Sequence, residues 1–180
     1  DIQVRSGDRI HISGNNGSGK TTLVKLLLGE LEPTAGTIMR TGFSYLYIDQ
    51  ECSVIDPRLT VFEQTERFNT GNWAEHELKS ILNRYLFPYD TWDKGCACLS
   101  GGEKIRLLFC CLMIGNNAPD VFILDEPTNN LDIQSVEIIT AAIRSYRGTV
   151  LLISHDHYFV KEIKINRSIK LFDTGSVIKI

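Results

Sequence analysis

The segment Gly14 to Thr22, GNNGSGKTT, constrains the fold more than any other part of the sequence. It matches the pattern G-x-x-x-x-G-K-[ST] and lies between an apolar segment, RIHIS, and a helical pattern over 19–28. Glycines allow the backbone to wrap closely around an anion and turn its N–H groups inward, and the helix N-terminus adds a positive dipole end. The sequence therefore predicts a strand, a phosphate-binding loop and a helix, with an ordinary tight glycine turn as the alternative.

Such a loop predicts a nucleoside triphosphate bound together with Mg²⁺. Lys20 is expected to reach the β- and γ-phosphates, and the Thr21 hydroxyl to join the Mg²⁺ shell. The residues expected to bind the nucleotide are Gly14, Asn15, Asn16, Gly17, Ser18, Gly19, Lys20, Thr21 and Thr22.

The remaining pattern alternates strands with helices. Four short apolar runs predict strands over 9–13, 43–48, 121–125 and 149–154. The last two runs are almost wholly apolar, which is typical of strands covered on both faces in a parallel sheet. The later helical patterns cover 60–68, 74–87, 101–114, 133–146 and 156–163. We therefore expect an α/β fold with a mainly parallel central sheet flanked by helices.

Two interruptions refine this expectation. Successive helical patterns from 60 onward predict a small helical subdomain over about 60–115 within one domain of 1–180. The segment 169–180 predicts a hairpin with Thr174-Gly175 at its turn.

Composition sets limits on function. The formal net charge of −3 gives no electrostatic reason to expect nucleic acid bound across this domain. Five cysteines without paired CxxC spacing favour reduced thiols of a cytosolic protein over disulfides or zinc. The longest apolar run, 107–114, is shorter than the roughly 18 to 20 residues that a membrane span needs. Because the sequence starts at Asp1, we expect a piece of a longer polypeptide.

Candidate catalytic residues follow three predicted strands. Asp125 is expected to hold Mg²⁺ through water, and Glu126 to polarise the attacking water, although two solvated acids ending a strand are the alternative. His155 follows another buried strand, where it could bind the γ-phosphate or the water. Gln50 could add an oxygen ligand to the metal. His11, between Ile10 and Ile12, receives no role.

The segment CLSGGEKIRLL, 98–108, begins a helix with Ser100 and two glycines. Glycine disfavours a helix interior by about 1 kcal/mol relative to alanine, so another constraint must favour Gly101 and Gly102. Bare amides at a helix start can receive an anion. Ser100 followed by Glu103 also fits an ordinary capping box, and both interpretations remain open.

Together these segments resemble the nucleotide-binding domain of the ATP-binding cassette (ABC) family, whose fold is that of P-loop NTPases. The resemblance covers nearly the whole chain. The matching motifs, in order, are the Walker A loop (14–22), the Q-loop (Gln50), the signature (Leu99 to Glu103), the Walker B strand (Val121 to Glu126), the D-loop (Leu131-Asp132) and the switch histidine (His155).

The resemblance implies an ATP hydrolase that works in pairs. Ser100 and Gly102, with Gly101 and Glu103 beside them, would contact the γ-phosphate held by a second cassette's Walker A loop. Glu126, His155 and Lys20 would be catalytic. The family's adenine-stacking aromatic would lie upstream of residue 1.

LSGGEKIRL, LDEPTNNLD and LISHDHYF are most similar to subfamily F. Its members carry two cassettes on one chain, lack membrane domains and mostly act on ribosomes. The resemblance thus implies the second cassette of a tandem pair in the cytoplasm, with a second cassette and the ribosome as partners. The motor subunit of a membrane transporter, paired with a membrane-spanning subunit, and a non-catalytic nucleotide-sensing module are the alternatives.

Overall fold

The computed structural model describes residues 2–49, 52–115 and 118–172. The chain packs as two compact units. The first contains 1–47, 119–124 and 148–180, and the second contains 48–118 and 125–147. Within the described ranges no helix has the length and apolarity that a membrane crossing requires.

A five-stranded parallel sheet organises the first unit. Its strands are β1 (Arg9–Ser13), β2 (Tyr45–Ile48), β3 (Val121–Asp125), β4 (Thr149–Ile153) and β5 (Arg167–Lys170), in the spatial order β2-β3-β4-β1-β5. β1 is an interior strand that pairs in parallel with β4 on one side and with the edge strand β5 on the other. The predicted α/β fold with a parallel sheet is confirmed.

The described residues form six α-helices, in nearly the predicted order. They are α1 (Lys20–Leu28), α2 (Val61–Arg67), α3 (Glu75–Arg84), α4 (Gly101–Ile114), α5 (Ile133–Ser145) and α6 (His157–Glu162). Two short 3₁₀ turns, Tyr89–Thr91 and Cys96–Cys98, precede α4.

Helix α3 is shorter than the predicted 74–87. It ends at Arg84, and Leu86 then adopts a φ of 62°, which no α-helix accommodates. Pro88 disfavours helical backbone at the residue before it, so the helix ends early although apolar residues continue beyond its end. Phe87 is nevertheless buried, because the chain folds back and its N–H donates to the Leu82 carbonyl.

β5 is an element that the sequence pattern did not separate. It begins at Arg167, before the predicted hairpin, and continues the sheet in parallel with β1, with Ile12 opposite Ile169. Thr174 and Gly175, the predicted turn, lie outside the described residues.

The core of the first unit joins α1 to one face of the sheet. Ile10 and Ile12 of β1 are fully buried and pack with Val24 of α1, and Ile169 of β5 joins the same cluster. Because alternate residues of a strand point to opposite faces, Arg9 and His11 lie on the other face. Because of this alternation, Arg9 and His11 are the side chains of β1 that face away from the α1 core.

In the second unit α4 packs against α2, α3 and α5. Eight of its fourteen residues are buried, and they form the apolar centre of that unit. The segment 60–115 lies within this unit, although its extent as a separate subdomain stays a prediction.

Candidate nucleotide site

The loop after β1 has the backbone of a phosphate cradle. Gly14, Gly17 and Gly19 have φ values of 151°, 81° and 92°, which side chains rarely permit. At Gly14 a Cβ would lie 2.5 Å from Ser18 Oγ and 2.8 Å from the Leu171 carbonyl oxygen. Leu171, the residue that follows β5, therefore closes one side of the loop, and only glycine fits at position 14.

Gly19 leaves the start of α1 uncovered. It occupies the N-cap position, and no side chain accepts a hydrogen bond from the first turn. The first amides of a helix need acceptors, and an anion at this end also meets the positive end of the dipole. Asn15, Asn16 and Gly17, which precede this end, are exposed.

The Lys20 ammonium lies against the start of the loop. Its Nζ donates to the carbonyl oxygens of Gly14 and Asn15, each at 2.8 Å. Ser18 Oγ is buried in the same loop without a hydrogen-bond partner, a polar atom suited to a ligand. Thr21 and Thr22 are exposed on the first turn of α1. The nine residues predicted to bind nucleotide form this loop and the first turn of α1, and their binding of nucleotide stays a prediction.

His155 lies beyond the end of β4, the strand beside β1. In a parallel sheet the carboxyl ends of neighbouring strands share one edge, where ligands bind. The turn around this exposed histidine is ordered, because Ser154 Oγ accepts from the Asp156 N–H at 3.0 Å. Asp156 in turn caps α6 by accepting from the Phe159 N–H at 3.0 Å.

His11 makes a contact that sequence reasoning missed. Its Nε2 lies 2.9 Å from the Ser154 carbonyl oxygen, the residue before His155. A carbonyl only accepts, so Nε2 carries the proton. The available signal was a histidine between two isoleucines in the middle of a strand, but the sequence alone offered no partner for it.

Asp125 and Glu126 have different backbones. Asp125 is the last residue of β3, and Glu126 has a φ of 51°, in the left-handed region that non-glycine residues seldom adopt. Such strain of about 1 to 3 kcal/mol persists only where the surroundings enforce it. Both side chains are half-buried. Glu126 is thereby directed by a turn and not by strand alternation.

The signature segment forms a complete capping box. Ser100 Oγ accepts from the Glu103 N–H at 3.2 Å, and Glu103 Oε2 accepts from the Ser100 N–H at 2.7 Å. Gly102 is buried, and a Cβ there would lie 3.1 Å from Leu131 Cδ2, so packing also requires this glycine. Gly101 has no neighbour that a Cβ would meet. The capping box is confirmed, and anion binding stays a prediction.

Asp132 caps α5. Its carboxylate accepts from the Ser135 N–H and hydroxyl, both at 2.8 Å, and these bonds lower the pKa of Asp132. Gln50, the predicted metal ligand, lies outside the described residues.

The oxygen donors suit Mg²⁺ more than a softer metal. The described segments contain no cluster of three or more His, Cys, Asp or Glu side chains that could hold a metal alone. Mg²⁺ is commonly held by one or two protein oxygens, substrate phosphates and water. The Thr21 hydroxyl and the Asp125 carboxylate are oxygen ligands of this kind, and their binding of Mg²⁺ stays a prediction from the sequence.

Comparison with known proteins shows the family of this chain. A family model described as "ABC transporter" matches residues 1–129. "ABC transporter F family member 5" of Arabidopsis thaliana is 40% identical over 175 residues, which are 96% of this chain and 25% of that protein. "ATP-binding protein Uup" of Escherichia coli strain K12 is 40% identical over 162 residues, 88% of this chain and 25% of that protein. The chain spans about a quarter of the length of these relatives.

Solved structures of other proteins are similar to this chain over most of its length. An archaeal ribosome recycling factor, aABCE1, in complex with the ribosomal stalk protein aP1, aligns over 93% of this chain and 32% of that chain, at 30% identity and a TM-score of 0.72. A dimeric ATP-binding cassette bound to ADP and Pi aligns over 96% of this chain and 84% of that chain. Its TM-score is 0.71 at 21% identity, which shows a shared fold.

Proposed function

Because this chain belongs to the ATP-binding cassette (ABC) transporter family, we propose that it is an Mg²⁺-dependent ATPase cassette of a subfamily F protein that acts on ribosomes. The observation that carries the ATPase is the phosphate loop, in which only glycine fits at position 14 and Lys20 Nζ lies over the loop start. The 40% identity to an F family member over nearly the whole chain supports the subfamily.

The proposed hydrolysis assigns a separate role to each group of site residues. The loop amides and Lys20 bind and neutralise the phosphates, and Glu126 orients and polarises the attacking water. His155 holds the γ-phosphate or that water. Thr21, Gln50 and, through water, Asp125 would hold Mg²⁺, which neutralises phosphate charge when bound.

A second cassette completes the proposed site. Ser100, Gly101, Gly102 and Glu103 would meet the γ-phosphate on the partner's loop, with Asp132 in the adjoining D-loop. ATP contacts both partners only in the closed pair, so it favours closure, and hydrolysis removes that preference. We place this chain as the second cassette of a tandem pair, with the ribosome as a cytoplasmic partner reached through other parts of the protein.

Phosphate release by the full-length protein tests the ATPase. Lys20→Ala should weaken ATP binding, and Glu126→Gln should retain ATP while turnover falls at least about a hundredfold. Glu137→Gln, an exposed carboxylate on α5, is the matched control and should keep wild-type turnover. Unchanged ATP affinity in Lys20→Ala or unchanged turnover in Glu126→Gln would contradict these roles.

Ribosome sedimentation tests the partner. The Glu126→Gln protein with ATP should sediment with ribosomes, and the same protein with ADP should not. Co-purification with a membrane-spanning subunit, without ATP-dependent ribosome binding, would favour a transporter motor instead.

A further inference from the structure

The strand that leads into the phosphate loop also fixes the segment that carries His155. On the face of β1 opposite the α1 core, Arg9 and His11 are two residues apart and half-buried. His11 Nε2 reaches the Ser154 carbonyl oxygen at 2.9 Å, before His155. Arg9 Nη1 donates to the Ile163 carbonyl oxygen at 3.0 Å, just after α6 ends. β1 therefore contacts both ends of the segment 154–163.

The contact of His11 lies at the end of the sheet ladder. The β1 and β4 pairing runs from Arg9 opposite Val150 to Ile12 opposite Ile153, so Ser154 is the first residue beyond it. From that point the backbone leaves the sheet, and the imidazole N–H supplies the hydrogen bond that a neighbouring strand would otherwise give.

A second restraint acts on the other side of His155. Ser154 Oγ accepts from the Asp156 N–H, and Ser154 itself is only 5% exposed. The residue before His155 is thus held through both its carbonyl and its hydroxyl, while the His155 side chain is exposed. The backbone of the histidine is fixed, and its ring is accessible.

We propose that His11 is a positioning residue for ATP hydrolysis: its Nε2–H holds the Ser154 carbonyl and thereby sets His155 relative to the phosphate loop that the same strand supplies. This inference rests on the proposed ATPase. His11 contacts the backbone before His155 and acts through it, so it should influence turnover more than nucleotide binding. A displacement of about 1 Å in a positioned group can lower a rate about a hundredfold.

Steady-state kinetics of the full-length protein provide the test. His11→Leu replaces the imidazole with an apolar side chain of similar bulk and so removes the hydrogen-bond donor. In this variant kcat should fall about ten- to a hundredfold, while KM changes less than about twofold. His11→Gln places an amide N–H near the position of Nε2 and should restore most of the lost kcat. His157→Leu, which removes an exposed imidazole from the same segment, is the matched control and should leave kcat unchanged.

Hydrogen exchange supplies a readout independent of turnover. The Asp156 amide should exchange faster in His11→Leu than in the wild type, and His11→Gln should restore its protection. If His11→Leu does not fold, Ser154→Ala removes the second restraint on the same turn and should give the same selective loss of kcat.

Two results would overturn the role of His11. One is wild-type kcat in a folded His11→Leu protein, and the other is a kcat loss that His11→Gln does not rescue or that His157→Leu shares. In either case Lys20→Ala and Glu126→Gln would still abolish turnover if the ATPase assignment is correct. If those two variants also leave phosphate release intact, the ATPase itself is wrong.

Discussion

Gly14 and Glu126 both have positive φ values, for different reasons. Gly14 lacks space for a side chain, because the Leu171 carbonyl and Ser18 hydroxyl stand where a Cβ would be. Glu126 carries its side chain in a strained conformation, which redirects it as the chain leaves β3. A sequence motif records the residue types at such positions, whereas the conformation that explains them is a property of the fold.

Gly14→Ala should lower the free energy of unfolding by roughly 3 kcal/mol or more, because it adds a steric conflict with backbone to a strained φ. ATP affinity should fall as the loop is displaced. Gly36→Ala is the matched control: its φ of 84° gives strain alone, since nothing lies within 4 Å of its added Cβ. Its loss should be about 1 to 2 kcal/mol, with ATP affinity unchanged. Denaturant melts and nucleotide titrations measure both, and equal behaviour of the two variants would refute the close approach of Leu171 to Gly14.

At the scale of elements, α2 and α4 begin with the same device. Thr60 with Glu63 and Ser100 with Glu103 each form a reciprocal capping box. The two helix starts differ in their next residues: α4 begins with glycines, and Gly102 packs beneath Leu131. Both helices therefore gain the same local stabilisation from their capping boxes, and α4 differs in having two glycines in its first turn.

Thr60→Ala and Ser100→Ala separate the two roles of the Ser100 hydroxyl. Each should lower stability by about 1 kcal/mol through the lost cap. Only Ser100→Ala should also lower ATP-dependent closure and phosphate release, because only that hydroxyl is proposed to meet a partner's nucleotide. Thermal melts and turnover of the full-length protein give the comparison, and equal turnover in both variants would reduce Ser100 to an N-cap.

Acid should weaken both capping boxes. The Thr60 N–H and hydroxyl lower the pKa of Glu63. For Glu103, burial alone would raise the pKa, but bonds from Lys94 and Ser100 outweigh burial and lower it. The folded state thus binds fewer protons than the unfolded state, so this stability is present above the usual glutamate pKa, 4.5, and is lost as pH falls below it. Melting temperatures between pH 7 and 3 should decline less steeply in Glu63→Gln and Glu103→Gln, and parallel profiles would contradict the assignment.

At the scale of the whole molecule, the reactivity of the cysteines depends on whether the folded chain buries them. All five are free, and Cys98 alone among them is exposed. Burial raises the pKa of Cys52 to about 12 and that of Cys96 to about 11, and it also raises the pKa values of Cys110 and Cys111. Buried neutral thiols react slowly, because the thiolate is the nucleophile.

Thiol labelling of the native protein at pH 8 should therefore modify one of these five cysteines rapidly and the other four only on unfolding. Cys98→Ser should abolish the rapid phase. A thiol reagent followed by absorbance gives the stoichiometry, and a rapid phase that persists in Cys98→Ser would show that at least one of the four buried thiols becomes accessible in the native state.

The order of strands and helices and the glycine-rich loop before α1 could be predicted because they depend on local pattern, namely apolar periodicity and glycines before a helix. The early end of α3 could not, since the apolar stripe continues past Arg84 while the backbone does not. The separate strand β5 was missed because its four residues contain one apolar side chain, Ile169, which is too little pattern to indicate a strand that pairs with β1.

The sequence by itself determined the layered α/β fold and named the residues of the phosphate loop, because those features need only neighbours along the chain. Tertiary structure alone decided that Leu171 closes the loop at Gly14, that Leu131 packs over Gly102, and that His11 holds the carbonyl before His155. Each of these joins residues far apart in the chain, and hydrogen bonds and steric exclusion act over a few ångströms of space whatever their separation in sequence.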